Sequence, residues 1–138
     1  MSETTGWRAA AAPGALILAA AAILWRPLFG GEALSGGDLI NHYIPYKALA
    51  LEQIRAGEFP AWNPLTFSGR PLQADIQVGV FYPPNALFLL AGRGESAAAR
   101  AKTIADVFDW LVFLHLAWMA AGAYLFLRLA AGGGAAPA

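Results

Sequence analysis

Hydrophobic residues are concentrated in two long segments without Asp, Glu, Lys or Arg, one in each half of the chain. Residues 9–25 read AAAAPGALILAAAAILW between Arg8 and Arg26, and residues 110–127 read WLVFLHLAWMAAGAYLFL before Arg128. The Trp7 to Trp25 separation and the segment 110–127 each correspond to about 27 Å of α-helix, close to the hydrocarbon thickness of a bilayer. The pattern therefore predicts two transmembrane helices.

The intervening region mixes polar, aromatic and proline residues and predicts shorter elements. A helical spacing of apolar residues includes Pro45 near its start, so a regular helix is expected from about Ile44, with Gly57 as the residue beyond its C-cap. Residues 58–71 contain three prolines and no periodicity, which predicts an ordered irregular loop. The apolar run at 85–91 is too short to span and predicts a short helix in the membrane interface.

These elements predict an all-α membrane protein with two transmembrane helices joined by a long external loop that carries short juxtamembrane helices. The expected organisation is an N-terminus and first transmembrane helix at 1–29, an extracytoplasmic loop at 30–105, a second transmembrane helix at 106–129 and a flexible tail at 130–138. Arg8 and Arg128 fall on the same side of the membrane if both segments span, which predicts that both ends are cytoplasmic and the loop is outside.

Two alternatives for the apolar segments remain open. The first segment can be a secretory signal peptide, because Ala33-Leu34-Ser35 offers a small-residue cleavage site. Its weakly basic start, with Glu3 offsetting Arg8, argues against that alternative. Both segments can also form a helical hairpin in a soluble core, although their lengths match a membrane better.

Composition supports a lipid environment and excludes several kinds of site. Hydrophobic residues make up 58% of the chain and charged residues 13%, whereas about a quarter of an ordinary soluble domain is charged. The formal net charge is zero, so no basic field favours nucleic acid as a partner. Cysteine is absent, which excludes disulfides and thiolate metal sites.

The central region carries a specific order of short motifs. They are GGDL at 36–39, YIPYK at 43–47, RAGEFPAWNP at 55–64, GRP at 69–71 and FYPPN at 81–85. In this order the chain resembles the amino-terminal part of the bacterial YfhO-type membrane proteins, which are similar to the GT-C glycosyltransferases. It departs from them at 74–77, where Ala-Asp-Ile-Gln stands in place of the expected Ala-Asn-Pro-Gln.

This resemblance implies a function and a location. It implies a piece of a multi-pass protein of the bacterial plasma membrane that transfers sugar from a polyprenyl-phosphate donor to a cell-envelope acceptor. The expected partners are the lipid bilayer, that donor, and further transmembrane helices from the rest of the protein or from a partner chain. Alone, the chain is expected to be inactive. By position, Asp38 matches the acidic residue of the first external loop that such enzymes require.

The chemistry of sugar transfer gives Asp38 a role. Displacing a polyprenyl phosphate by a hydroxyl needs a base for the proton or a divalent cation for the phosphate, and a carboxylate serves either need. A divalent cation is therefore a candidate cofactor, with its ligands unknown. The structural alternative is that Asp38 only caps the following helix, with Asn41 at the third position.

Other polar and aromatic residues of the loop are candidates for binding substrate. They are His42, Trp62, Asn63, Arg70, Asp75 and Tyr82. Each has a structural alternative: a histidine packed on tyrosine, an amide that closes a turn, an arginine that is simply solvated, or an aspartate that bonds its own backbone. Asp75 becomes a second carboxylate of the site only if the fold returns it to Asp38.

Three ionisable residues lie at or near the second span. His115 is a functional hypothesis because of its depth, and a neutral histidine bonded to a neighbouring helix is the simpler interpretation. Asp106 and Asp109 either line the site or mark the membrane boundary, and the boundary is favoured.

A non-enzymatic function is the alternative to sugar transfer. The external loop would then bind a protein partner through exposed aromatic residues, which often dominate such contacts. The candidates for that surface are Trp62, Phe67, Phe81 and Tyr82.

Overall fold

The computed structural model describes residues 4–34, 36–90 and 96–132, and these residues are mostly helical. In chain order the elements are α1 (Thr4–Ile23), α2 (Trp25–Phe29), a π-helical turn (Leu39–Tyr43), α3 (Ile44–Arg55), β1 (Trp62–Asn63), β2 (Arg70–Pro71), a 3-10 helix (Pro83–Leu90) and α4 (Ala97–Gly132). The chain divides into two compact units, the apolar unit (Met1–Glu32 and Trp110–Ala138) and the loop unit (Ala33–Asp109).

Helix α4 is the element that could cross a bilayer. Its segment Ala97–Ala130 is the one stretch of the described residues that is both long and apolar enough, and only 6% of its most apolar window is buried within the chain. A core helix of a soluble protein would bury most of that window. The structure therefore confirms a mostly helical fold with one helix suited to span a membrane.

Helix α1 is less clear as a span than the sequence predicts. It contains Pro13, and its apolar part, Pro13–Ile23, is shorter than a membrane crossing needs. The two-span arrangement and the external position of the loop therefore stay predictions. The proposed cleavage site includes Ser35, and most of the predicted tail at 130–138 also lies outside the described residues.

The local structure around α3 follows from Pro45. Proline lacks the N–H that a helix interior needs, and its ring collides with the carbonyl four residues earlier. The chain accommodates it by placing Pro45 in the first turn of α3 and widening the preceding turn to the π-helix Leu39–Tyr43. The predicted helix start near Ile44 is confirmed.

The end of α3 is a Schellman motif built on Gly57. The Gly57 N–H donates to the Ile54 carbonyl and the Glu58 N–H donates to the Gln53 carbonyl, at 3.0 and 2.9 Å. Gly57 has φ +80, a left-handed conformation that glycine adopts without a Cβ penalty. This confirms the predicted role of Gly57 and directs the chain into the loop that follows.

The core of the loop unit forms where that loop folds over α3. Its buried cluster consists of Tyr46 and Ala50 of α3 with Leu72 and Val78 of the loop. Strands β1 and β2 pair antiparallel, with Trp62 opposite Pro71 and Asn63 opposite Arg70. A side chain at Gly69 would lie 2.5 Å from the Trp62 ring, so the hairpin closes only with glycine there. The irregular loop is thus ordered, as the sequence predicts.

Two further elements complete the loop unit. The predicted short helix at 85–91 is present as the 3-10 helix Pro83–Leu90, with Phe88 buried on its inner side. The first turns of α4 also pack in this unit, since Arg100 pairs with Glu52 and the rings of Phe108 and Tyr43 lie 5.2 Å apart. Helix α4 begins at Ala97, before the predicted second span at 106–129, and continues through it.

Candidate functional site

The carboxylate of Asp75 is the centre of a polar cluster in the loop unit. Its Oδ2 accepts a hydrogen bond from Arg70 at 2.7 Å, and its Oδ1 accepts one from the Gln77 N–H at 2.9 Å. His42 Nε2 lies 3.1 Å from the same Oδ2, without the alignment of a hydrogen bond. The Asp75 side chain is only 5% exposed. The fold therefore brings together three of the predicted substrate-binding residues.

Tyr46 holds the two basic members of this cluster. Its ring lies 4.1 Å from the His42 ring, and the Arg70 guanidinium lies 5.5 Å from its centroid. The Tyr46 hydroxyl lies 3.3 Å from Thr66 Oγ1, within hydrogen-bonding distance. The alternative in which His42 packs on a tyrosine is confirmed. The alternative in which Arg70 is simply solvated is wrong, because Arg70 forms an ion pair with Asp75. The helical spacing of His42 and Tyr46 is the sequence signal that would have found this contact.

Asp38 lies one helical turn before His42 and is exposed. The predicted capping role is not found: Asp38 has helical dihedrals, φ −69 and ψ −34, and its side chain makes no capping hydrogen bond. A capping residue normally has extended dihedrals. The helical turn already begins at Gly37, so Asp38 is inside it. Its carboxylate is therefore not engaged in closing the helix end.

Trp62, Asn63 and Tyr82 contribute differently from the Asp75 cluster. Asn63 is buried and its Oδ1 accepts from the Leu65 N–H at 2.8 Å, which confirms the turn-closing amide. Trp62 is 50% exposed, and its ring covers Gly69. Tyr82 is 43% exposed and lines a cavity beside α3. No described contact joins them to Asp75, and the substrate-binding roles of all three stay predictions.

Asp75 also bonds its own turn, as the structural alternative predicts. Its Oδ1 is 2.9 Å from the Gln77 nitrogen and 3.4 Å from the Val78 nitrogen. One carboxylate thus closes a local turn with one oxygen and gathers Arg70 and His42 with the other. Asp75 thus connects its own turn in the loop with His42 of the π-helical turn.

A buried lysine is the feature that sequence reasoning missed. Lys47 is 4% exposed, its Nζ donates to the Val78 carbonyl, and it lies 4.7 Å from the Phe88 ring centroid. Burial lowers the pKa of Lys47 from its ordinary value of 10.5 to about 8. Its position between Tyr43, Ala50 and Leu51 on the inner face of the helix is the signal that pointed to burial.

Asp106, Asp109 and His115 of α4 form contacts away from the Asp75 cluster. Asp106 accepts from Lys102 one turn earlier, at 2.6 Å. Asp109 is fully buried, and its two oxygens lie 3.2 and 3.4 Å from the Leu34 nitrogen. His115 Nδ1 lies 2.5 Å from the Leu111 carbonyl of its own helix. None of these contacts joins the Asp75 cluster.

Neither a metal centre nor a known relative identifies the site. Among residues 4–34, 36–90 and 96–132, no three His, Asp or Glu side chains are grouped to hold a metal ion. Comparison with protein-family models, with curated proteins and with solved structures finds no match to the chain. The chemistry of the site is therefore argued from its own residues.

Proposed function

We propose that the chain is the amino-terminal part of a membrane glycosyltransferase that moves sugar from a polyprenyl-phosphate donor to a cell-envelope acceptor. The observation that carries this proposal is the convergence of His42 and Arg70 on Asp75, one helical turn from the exposed Asp38. This arrangement supplies a free carboxylate and two basic groups on one ordered loop. The motif order that resembles the YfhO-type proteins supports the same conclusion.

In this proposal the residues divide the work of one displacement. The acceptor hydroxyl attacks the anomeric carbon, the bond from that carbon to the phosphate oxygen breaks, and polyprenyl phosphate leaves with the electron pair. Asp38 takes the hydroxyl proton or holds a divalent cation against the phosphate. Arg70 offers N–H donors to phosphate oxygens while Asp75 holds its guanidinium, and His42, packed against Tyr46, adds a second basic group.

The proposed setting is the bacterial plasma membrane. We place the loop unit on the extracytoplasmic face, joined to two transmembrane helices, with further helices from the rest of the protein or a partner chain enclosing donor and acceptor. The support is the exposed apolar surface of α4 and the positions of Arg8 and Arg128 at the outer ends of the two apolar segments. Trp62, Asn63 and Tyr82 stay candidates for contacting the sugar.

The direct test is Asp38→Asn in the complete protein. A strain without the gene is complemented with wild type or variant, and its envelope glycans are compared by mass spectrometry. We expect Asp38→Asn to abolish the glycan change without altering membrane insertion. Glu58→Gln, at another exposed carboxylate of the loop unit, is the matched control and should retain activity. Full activity of Asp38→Asn would remove this residue from the mechanism.

A second candidate function is a non-enzymatic module that binds a protein partner through the loop. The favouring observation is that large aromatic side chains are exposed, with Phe67 at 85% and Phe81 at 73%. Photo-crosslinking from benzoylphenylalanine at Phe67 tests it in cells. A discrete crosslinked partner that persists in the Asp38→Asn variant supports the module, whereas crosslinks to lipid alone exclude it.

A further inference from the structure

A cavity of about 240 Å³ lies in the loop unit, between α3, the turn at 78–82 and the 3-10 helix. Its inner wall is apolar and includes Leu51, Val78 and Phe88, which are nearly fully buried. Phe81 and Leu89 also line it and are 73% and 44% exposed, so the cavity opens to the surface on their side. It is an apolar pocket with a mouth.

Among the described residues that line the cavity, Lys47 is the one with a charged side chain. An ammonium group has three N–H donors, and the Lys47 Nζ donates to a single described acceptor, the Val78 carbonyl. None of the ion pairs formed by the described residues includes Lys47. The rings of Phe88 and Tyr43 also lie near this amine, with centroids 4.7 and 6.0 Å from Nζ. A buried cation without an anion is costly, so the site favours a negative partner.

We propose that this cavity binds a small anionic amphiphile, with a carboxylate or phosphate head on Lys47 and a short apolar chain against Leu51, Val78 and Phe88. At about 30 Å³ for each small group, the volume accommodates roughly eight non-hydrogen atoms. Longer chains would leave through the mouth beside Phe81 and Leu89. The inference does not depend on the proposed glycosyltransferase function, because it uses neither Asp38 nor the Asp75 cluster.

The titration of Lys47 gives the proposal a signature in pH. The empty site has a Lys47 pKa of about 8, and an anion that binds the protonated amine raises that pKa. Affinity is therefore constant well below pH 8 and falls by about tenfold per unit above it, until the pKa of the complex is reached. The other titratable groups facing Lys47 are the phenols of Tyr82, which lines the cavity, and of Tyr43.

The experiment uses the full chain in nanodiscs of zwitterionic lipid, titrated with octanoate and followed by NMR of lysine labelled with carbon-13 at Cε. The chain has lysine only at 47 and 102, so two resonances report all sites. We expect the Lys47 resonance to shift and saturate while the Lys102 resonance stays unchanged. Octanol, which lacks the charge, should give no saturable shift. Equal shifts with octanoate and octanol would show that the charge of the head group is not recognised, which would overturn the proposal.

Two variants and one control separate the contribution of the Lys47 charge to binding from the contribution of the cavity volume. Lys47→Met should weaken octanoate binding at least tenfold, measured by calorimetry against empty nanodiscs, and Lys102→Met is the matched control with unchanged binding. Ala86→Trp keeps the amine and fills the mouth, so it should abolish binding while its Lys47 resonance remains. Equal binding by wild type and both cavity variants would contradict the proposed site.

The source of the ligand is settled by a parallel arm. Nanodiscs doped with phosphatidic acid present the same chemistry as a bilayer lipid, whereas octanoate and octyl phosphate present it as a soluble molecule. A Lys47 shift with doped discs alone assigns a lipid, and a shift with the soluble compounds assigns a free metabolite. No shift in either arm rejects the anionic ligand.

Discussion

The apolar unit and the loop unit differ in whether they bury large hydrophobic residues in a core of their own, although both also expose some of them. In the apolar unit large side chains face outward, with Trp118 at 83% and Leu129 at 75% exposed. In the loop unit Leu72 and Phe88 are 1% and 2% exposed, inside a core that also orders polar groups. The difference teaches that the described part of the apolar unit leaves large apolar side chains to be covered from outside the chain, as a bilayer would cover α4, whereas the loop unit folds around a core of its own.

The largest expected effect is the loss of membrane insertion when a charge is placed in the apolar unit, whereas a charge placed in the loop unit should leave insertion unchanged. Leu114→Asp places a carboxylate on the apolar face of α4, which costs about 3 to 4 kcal/mol at the centre of a bilayer. We expect insertion into microsomes to fail, as measured with a glycosylation tag. Ile76→Asp, at a 94% exposed position of the loop unit, should insert like wild type. Normal insertion of Leu114→Asp would show that α4 does not lie in lipid.

The next effect is the pH dependence of loop-unit stability. Because burial depresses the Lys47 pKa from 10.5 to about 8, the unfolded chain binds more protons between these values, and the free energy of unfolding rises with pH across this window. The rise is about 3 kcal/mol at most. Lys47→Met removes it, so the variant should be more stable than wild type at pH 7 and lose that advantage near pH 10.

Protease resistance of the loop unit in urea measures this difference at each pH. Lys102→Met is the control and should follow the wild-type curve. Parallel curves for wild type and Lys47→Met, with no convergence at high pH, would show that Lys47 is not buried as a charged group.

Local features of the fold could be predicted from the sequence because each depends on a few neighbouring residues. Pro45 sets the start of α3, Gly57 sets its end, and Asn63 closes its own turn. These are short-range effects of a missing N–H, a left-handed backbone and a side-chain amide. The same local reasoning failed at Asp38, because the helical turn begins one residue earlier at Gly37.

The assembly of the site could not be predicted in the same way. His42 and Asp75 lie far apart in sequence, and they meet only because β1 pairs with β2 and the loop folds back over α3. The burial of Lys47 likewise depends on the turn at 78–82 and the 3-10 helix covering it. Long-range packing of an irregular loop leaves little periodic signal in the sequence. The candidate residues could therefore be named from the sequence, but their contacts with one another could not.

A smaller effect tests the Asp75 cluster as a structural device of the loop unit. Asp75→Ala removes the acceptor for Arg70 and for the Gln77 N–H, which should cost about 2 kcal/mol of unfolding free energy. Asp75→Asn keeps the oxygen for the turn and should cost less. Asp38→Ala, at an exposed residue without a capping bond, is the control and should change stability by under about 0.5 kcal/mol. Thermal unfolding in detergent measures all three, and a neutral Asp75→Ala would contradict the cluster.

The smallest effect concerns the hairpin that positions Arg70. Gly69 has φ +105, and a Cβ there would lie 2.5 Å from Trp62. Gly69→Ala should therefore cost about 1 to 2 kcal/mol through backbone strain and displacement of the ring. Gly36→Ala faces open space and is the control. Trp fluorescence and thermal unfolding report the change, and equal behaviour of both variants would mean that the hairpin does not close as described.

The central claim is that α4 lies in lipid while the loop unit lies in water outside the cell. The accessibility of single cysteines in intact bacterial cells tests it most directly, since the chain has no cysteine of its own. The variants Ser35→Cys, Ser68→Cys, Ser96→Cys and Leu114→Cys are exposed to a membrane-impermeant maleimide. The account predicts labelling of the three serine positions from outside and no labelling of Leu114→Cys until detergent is added. Labelling of the serine positions only after the cells are opened, or labelling of Leu114→Cys in intact membranes, would contradict it.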